Sequence, residues 1–208
     1  MLTLVIGNKN LSSWSLRPWL VLKRLGLPFK EVGLVLDTPE FHAQLLQYSP
    51  AGRVPVLIDG DLHIWDSLAI AEYLNEQSGG QGWPTDPAKR AHARSVSAEM
   101  HSGFSALRQA WPMQAMARLI VPPTAAVASD VARIDALWQD CRARYSNEGP
   151  WLFGRYCIAD AMYAPIVLRF NTYGPKLSAV ANAYMQQTMS DPHMLEWLRD
   201  AQREVGAG

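Results

Sequence analysis

Apolar and polar residues alternate with one rhythm in the first third of the chain and with another afterwards. Leu2 to Ile6 is apolar except for Thr3 and ends in Gly7-Asn8-Lys9-Asn10, the pattern of a buried strand closed by a loop. From Ser15 to Leu25 the residues Leu16, Trp19, Leu20 and Leu22 recur at helical spacing, and Gly26 stops that helix. Pro18 then belongs in a first turn, where a missing N–H does no harm. Phe29 to Leu36 alternates as a second strand, with Val32, Leu34 and Leu36 on one face. A short helix opens at Thr38-Pro39-Glu40-Phe41 and ends before Ser49-Pro50-Ala51-Gly52. Arg53 to Ile58 and Leu62 to Trp65 flank Asp59-Gly60-Asp61 as a hairpin. Asp66 then caps a helix over residues 66–74. Residues 2–77 therefore read β-α-β-α-β-β-α.

Ser78 to Pro87, with Gly79, Gly80, Gly82 and Pro84, breaks the pattern and serves as a linker. Beyond it the periodicity is helical throughout. Ala88 to about Leu119 reads as one Ala-rich helix kinked at Pro112. Pro122-Pro123-Thr124 precedes a second helix to about Tyr145, with Val127, Val131, Ile134, Leu137 and Trp138 on one stripe, and further helices fall at about 158–170, 177–189 and 192–203. The expected organisation is an α/β domain over residues 1–78 and an all-α domain over 87–208.

Composition narrows the function classes. Of 208 residues, 49% are apolar and 18% charged, which suits a folded globular chain, and the formal net charge of zero supplies no overall field for nucleic acid or an anionic membrane. No apolar run reaches spanning length, and the first residues lack the basic start and apolar core of a secretory signal, so a cytoplasmic protein is expected. Cys141 and Cys157 form no C-x-x-C, and the five histidines show no ligand spacing, so no metal is expected. A small neutral or anionic ligand is the better fit.

The stretch Asn10-Leu11-Ser12-Ser13-Trp14-Ser15-Leu16-Arg17 puts three hydroxyls at a helix start, where free backbone N–H groups favour an anion. Serines there also serve as plain caps, and the local pattern leaves both readings open. Asp66-Ser67 has the same ambiguity at the later helix. Arg53 and His42 could meet a carboxylate or simply face solvent. Trp111, Met113 and Met116 could line a pocket, with Arg108, or fill a core.

Four segments in order carry a family likeness. Ser12-Ser13-Trp14-Ser15-Leu16-Arg17 resembles the S-S-C-S-W-R motif of zeta-class enzymes, and Arg53-Val54-Pro55-Val56-Leu57 resembles the V-P turn of cytosolic glutathione transferases. Asp66-Ser67-Leu68-Ala69-Ile70 resembles their [ED]-S-x-A-I helix start, and Gly154 to Ala161 their G-x-x-[ST]-x-A-D segment, with Cys157 where Ser or Thr is usual. The resemblance implies a thioredoxin-like domain binding glutathione as co-substrate and a helical domain completing a second-substrate pocket, in a homodimer.

On this likeness Ser12, with Ser13 as second choice, donates a hydrogen bond to the glutathione sulfur. Val54, beside a cis-Pro55, pairs with the cysteinyl backbone. Asp66 and Ser67 hold the γ-glutamyl end, and Arg53 and His42 the glycyl carboxylate. Trp14, Arg108, Trp111 and Met116 line the pocket for a small electrophile. The implied activity is conjugation of glutathione to that electrophile. A glutathione-dependent cis–trans isomerase of the maleylacetoacetate type and a non-catalytic binding protein are the alternatives. With no cysteine before Cys141, exchange through a protein thiol is disfavoured. Trp14 stands where the zeta class has cysteine, a departure that bears on the isomerase reading.

Overall fold

In the computed structural model, residues 1–36 and 38–206 are described. Strand β1 (Leu2–Gly7) pairs in parallel with β2 (Phe29–Leu34), Leu2 opposite Phe29 and Val5 opposite Val32. A parallel pair needs a crossover, and α1 (Ser13–Leu25) supplies it. Gly26, at φ 66°, ends α1, and Leu27 N–H returns to Leu22 C=O at 3.1 Å. After α2 (Pro39–Leu46) come β3 (Val56–Asp59) and β4 (Leu62–Trp65), an antiparallel hairpin with Val56 opposite Trp65. Strand β3 adds antiparallel to β1, giving the sheet order β2-β1-β3-β4. Helix α3 (Ser67–Gln77) completes the thioredoxin-like β-α-β-α-β-β-α unit, and the peptide bond between Val54 and Pro55 is cis.

The rest is helical: α4 (Pro87–Ser102), α5 (Ser105–Ala110), α6 (Ala125–Tyr145), α7 (Ile158–Tyr173), α8 (Ala179–Met189) and α9 (Pro192–Gly206). Nearly every residue of α7 is buried, and α1, α4 and α8 pack around it. One continuous core joins Leu4, Leu16 and Trp19 of the sheet half to Trp138, Met162 and Trp197 of the helical half. A smaller cluster of Val5, Leu34, Leu45 and Val56 fills the other face of the sheet.

Two sequence expectations are corrected. The Ala-rich run is not one helix kinked at Pro112. Helix α4 stops at Ser102, where Gly103 N–H bonds to Glu99 C=O at 2.8 Å and a Cβ on Gly103 would lie 2.7 Å from that same oxygen. Phe104 follows in the left-handed region at φ 57°, and α5 ends before Trp111, which leaves the helical region at φ −122° and ψ 71°, as a residue ahead of a proline must. Residues 111–124 are then held by tertiary bonds, among them Leu119 N–H to Thr172 C=O at 2.8 Å. Pro18 is the second correction. Because α1 begins at Ser13, this proline sits inside the helix and withholds the bond that would reach Trp14 C=O.

Candidate functional site

The site is built where α1 begins. Ser12 is the N-cap residue, yet its hydroxyl makes no capping hydrogen bond among the described residues. It lies instead 2.7 Å from the hydroxyl of Ser15, one turn on, and Ser15 Oγ accepts from Gly7 N–H at 3.1 Å. Ser12 is 5% exposed and Ser13 half-buried, and Arg169 Nη2 donates to Ser13 Oγ at 3.4 Å. Ser12 thus caps α1 through its carbonyl, which accepts from Leu16 N–H at 3.3 Å, and not through its hydroxyl. The first turn of α1 carries no acidic residue of its own to offset the positive end of the helix.

At the start of α3, Asp66 does cap. Its Oδ1 accepts from Leu68 N–H at 2.8 Å and Ala69 N–H at 3.3 Å, which fixes a φ of 75° that is costly for any residue but glycine. Its Oδ2 lies 3.1 Å from His101 Nε2 at the end of α4. Burial is the largest influence on His101 and lowers its pKa, so at neutral pH the imidazole beside Asp66 is largely uncharged. Ser67 is fully buried, and its hydroxyl accepts from Arg17 Nη1 at 3.4 Å.

Val54 precedes β3, and among the described residues its N–H and C=O carry no backbone hydrogen bond. Arg53 and His42 are exposed, and the His42 ring packs against the Gly52 turn beside Arg53. Of the expected pocket residues, Trp14 and Arg108 come together, the guanidinium 5.4 Å from the ring centroid. Trp111 does not join them: its ring stacks on Tyr173 at 5.1 Å and lines a separate cleft of about 510 Å³ with Val131, Asp135 and Lys176. Met116 enters through its backbone, whose N–H donates to Asn10 Oδ1 at 3.0 Å, and Met113 is core.

Four residues here had no role in the sequence reading: Ser15, Arg17, His101 and Arg169. Arg17 is 2% exposed, lies 4.4 Å from the Trp14 centroid, and has its pKa pushed down to about 9 by burial first and then by Arg169 and Arg108. Arg169 is 5% exposed, and burial followed by Arg108 pushes it down to about 10. Both stay charged at neutrality. A signal existed for three of them, since Ser15 is three residues from Ser12 on one helix face and Arg17 and Arg169 interrupt otherwise apolar helical patterns. Among the described residues no group of three His, Cys, Asp or Glu could hold a metal, and no helix is long and apolar enough to cross a membrane.

A thioredoxin-like sheet with a free helix start, joined to an all-α half, defines a class, and comparison with known proteins agrees. The family model described as glutathione S-transferase, N-terminal domain, matches residues 11–77. Glutathione S-transferase GstB of Escherichia coli K12 is 30% identical over 169 residues, covering 74% of this chain and 77% of that protein. This chain belongs to the glutathione S-transferase family. A probable maleylacetoacetate isomerase of Caenorhabditis elegans is 40% identical over 97 residues, and the match spans less than half of either protein, 46% of this chain and 44% of the relative. Among solved structures, a glutathione transferase homologue from Burkholderia with bound glutathione superposes with a TM-score of 0.71 at 24% identity, covering 97% of this chain and 98% of that one.

Proposed function

We propose that the protein is a glutathione transferase in which Ser12 favours the thiolate of bound glutathione, which then attacks a small electrophile. One observation carries this reading: the Ser12 hydroxyl is not spent on a cap and is hydrogen-bonded to Ser15 Oγ, which also accepts from Gly7 N–H. A hydroxyl rotates about its C–O bond, so Ser15 can donate to Ser12 and leave the Ser12 proton for sulfur. Each bond in such a row polarises the next. A thiol of ordinary pKa is only a few per cent ionised at neutrality, and the hydrogen bond and the helix N-terminus both favour the anion. The thiol proton leaves to solvent, sulfur forms a bond to the electrophilic carbon, and the leaving group departs with its electron pair.

Val54 supplies the free N–H and C=O of a strand start, to which the cysteinyl backbone adds as a further strand. Asp66 and the α3 N-terminus take the γ-glutamyl end, and Arg53 and His42 the glycyl carboxylate. The fold family and the glutathione held by the Burkholderia homologue support this assignment, and two copies are expected to pair. The relative of isomerase name supports a second reading, in which glutathione adds to and leaves the same carbon of a cis olefin.

The test is Ser12→Ala and Ser15→Ala with 1-chloro-2,4-dinitrobenzene. Loss of one donor to a developing thiolate should lower kcat/KM at neutral pH roughly tenfold or more for Ser12→Ala and less for Ser15→Ala. The thiolate absorbance of bound glutathione should titrate at higher pH in both. Unchanged titration in Ser12→Ala would remove Ser12 from the role. A cis–trans assay on the maleyl substrate decides between transferase and isomerase.

A further inference from the structure

Three guanidinium groups converge on Trp14 and Ser13. Arg17 lies 4.4 Å and Arg108 5.4 Å from the Trp14 ring centroid, and Arg169 reaches Ser13 Oγ at 3.4 Å. They come from three different helices, α1, α5 and α7. Their hydrogen bonds go to neutral acceptors: Arg17 to Ser67 Oγ, Arg108 to His101 C=O, and Arg169 to Trp111 C=O and Pro165 C=O. Arg17 Nε is buried and has no partner. Among the described residues none of the three forms an ion pair. The neighbouring carboxylates act on the cluster only through their field, Asp66 on Arg17 and Asp130 on Arg108; their hydrogen bonds go to the α3 amides and to Leu107 N–H at 2.9 Å.

Such an arrangement is costly as it stands. A buried cation without a counter-ion loses several kcal/mol of solvation, and three like charges in a medium of low dielectric repel one another. One anion beside Ser13 would face all three. The guanidinium fork matches the planar two-oxygen geometry of a carboxylate better than that of a monoatomic anion. Arg17 and Arg169 are too deeply buried to be touched, whereas Arg108 and the Trp14 ring are partly exposed. A carboxylate held there would lie next to the serine proposed to hold sulfur, which is where the electrophile must be.

We propose that the Arg17–Arg108–Arg169 cluster selects an electrophile that carries a carboxylate, with Arg108 touching that group and Arg17 and Arg169 acting as fixed positive charges behind Trp14. This rests on the transferase reading given above. The cluster sets which electrophile is accepted, while Ser12 sets how sulfur is ionised.

The experiment compares 4-chloro-3-nitrobenzoate with its methyl ester, each enzymatic rate divided by the uncatalysed rate with glutathione. In both, sulfur bonds to the ring carbon, the C–Cl bond breaks and chloride leaves with the electron pair. The acid should exceed the ester in normalised kcat/KM by about tenfold, the worth of one charge-assisted pair. Arg108→Gln should bring that ratio toward unity and Arg108→Lys should restore part of it, a readout that a general loss of fold does not move. Benzoate should compete with the ester and not with glutathione. Equal use of acid and ester by the unaltered protein overturns the proposal and leaves the transferase reading standing, and benzoate competing with glutathione does the same by placing the arginines in the glutathione subsite. If neither compound is consumed and titration calorimetry detects no glutathione binding, the transferase reading fails and this inference falls with it.

Discussion

Replacing Asp160 by alanine should cost more stability than any single change at the proposed site. Asp160 is 1% exposed in the first turn of α7, the helix around which α1, α4 and α8 pack. Its Oδ2 accepts from Cys157 N–H at 2.9 Å, and its Oδ1 from Leu152 N–H and from the Tyr184 hydroxyl, each at 3.1 Å. All three donors are buried, so alanine strands them without water. At about 1–3 kcal/mol for each orphaned buried donor, and with partial relaxation, the loss should be roughly 3–6 kcal/mol, a large part of a typical 5–15 kcal/mol stability. Urea unfolding followed by tryptophan fluorescence measures it. A loss below about 1 kcal/mol would refute the network as the anchor of α7.

The same carboxylate gives a signed pH dependence. Burial is the dominant influence and pushes its pKa from 3.8 to about 6, against amide and hydroxyl hydrogen bonds that favour the anion. The folded value is therefore raised above the unfolded one. The stability tied to the protonated form is full below 3.8 and is lost as pH rises through 6. At 1.36 kcal/mol per unit this is no more than about 3 kcal/mol. Asp160→Asn keeps a carbonyl acceptor and does not titrate, so it is the reference. The advantage of the native protein over it should shrink between about pH 4 and about pH 7.5, and an advantage that grows over that interval would mean that the hydrogen bonds outweigh burial.

Two smaller predictions concern the neighbourhood of α7. Cys157→Ser places a stronger hydrogen-bonding group at the N-cap of α7, where the buried thiol is weak, and should raise the urea midpoint by an amount worth about 0.5–1 kcal/mol. Gly149→Ala forces a Cβ to 2.5 Å from Gly154 C=O at a φ of 138°, and should lower the melting temperature by the equivalent of about 2 kcal/mol or more.

What was legible in the sequence follows a physical line. The strands Leu2–Gly7, Val56–Asp59 and Leu62–Trp65, the Asp66 cap and the Val127 to Trp138 stripe of α6 are set by neighbours within a few residues, and local patterns report them. The break at Gly103-Phe104 was hidden because helix-forming residues continue past it, and because nothing local marks Phe104 for a left-handed backbone. The spacing of Trp111 leaves core and pocket open and the family likeness puts it in the pocket, but Tyr173, 62 positions on, decides which way its ring is used. The arginines of the cluster could be noticed one at a time, but their convergence could not, since a charge on an apolar helix face gains meaning only when two other helices bring theirs to it.

The position of Ser12 is itself a long-range property. Ser12 N–H bonds to Asn8 C=O at 2.8 Å, so the hydroxyl is placed by the loop of residues 8–11, and each of that loop's first three residues is tied to a different part of the chain. Asn8 Oδ1 accepts from Leu36 N–H beyond β2 at 2.7 Å. Lys9 is clamped by α9: its N–H donates to Glu204 Oε1 at 3.1 Å, its carbonyl accepts from Trp197 Nε1 at 2.9 Å, and its ammonium pairs with Asp200 at 2.7 Å while lying between the rings of Trp19 and Trp197. Asn10 takes Ala115 N–H on its carbonyl and Met116 N–H on its side chain, each at 3.0 Å. Loops ordinarily move more than the elements they join, and a hydroxyl that must meet a developing charge works only if it is already in place. Here the rigidity is supplied by residues up to 195 positions away. A serine-rich helix start is thus common in sequence, but one held still from Leu36, from the 115–116 segment and from α9 at once is a property of the folded chain as a whole.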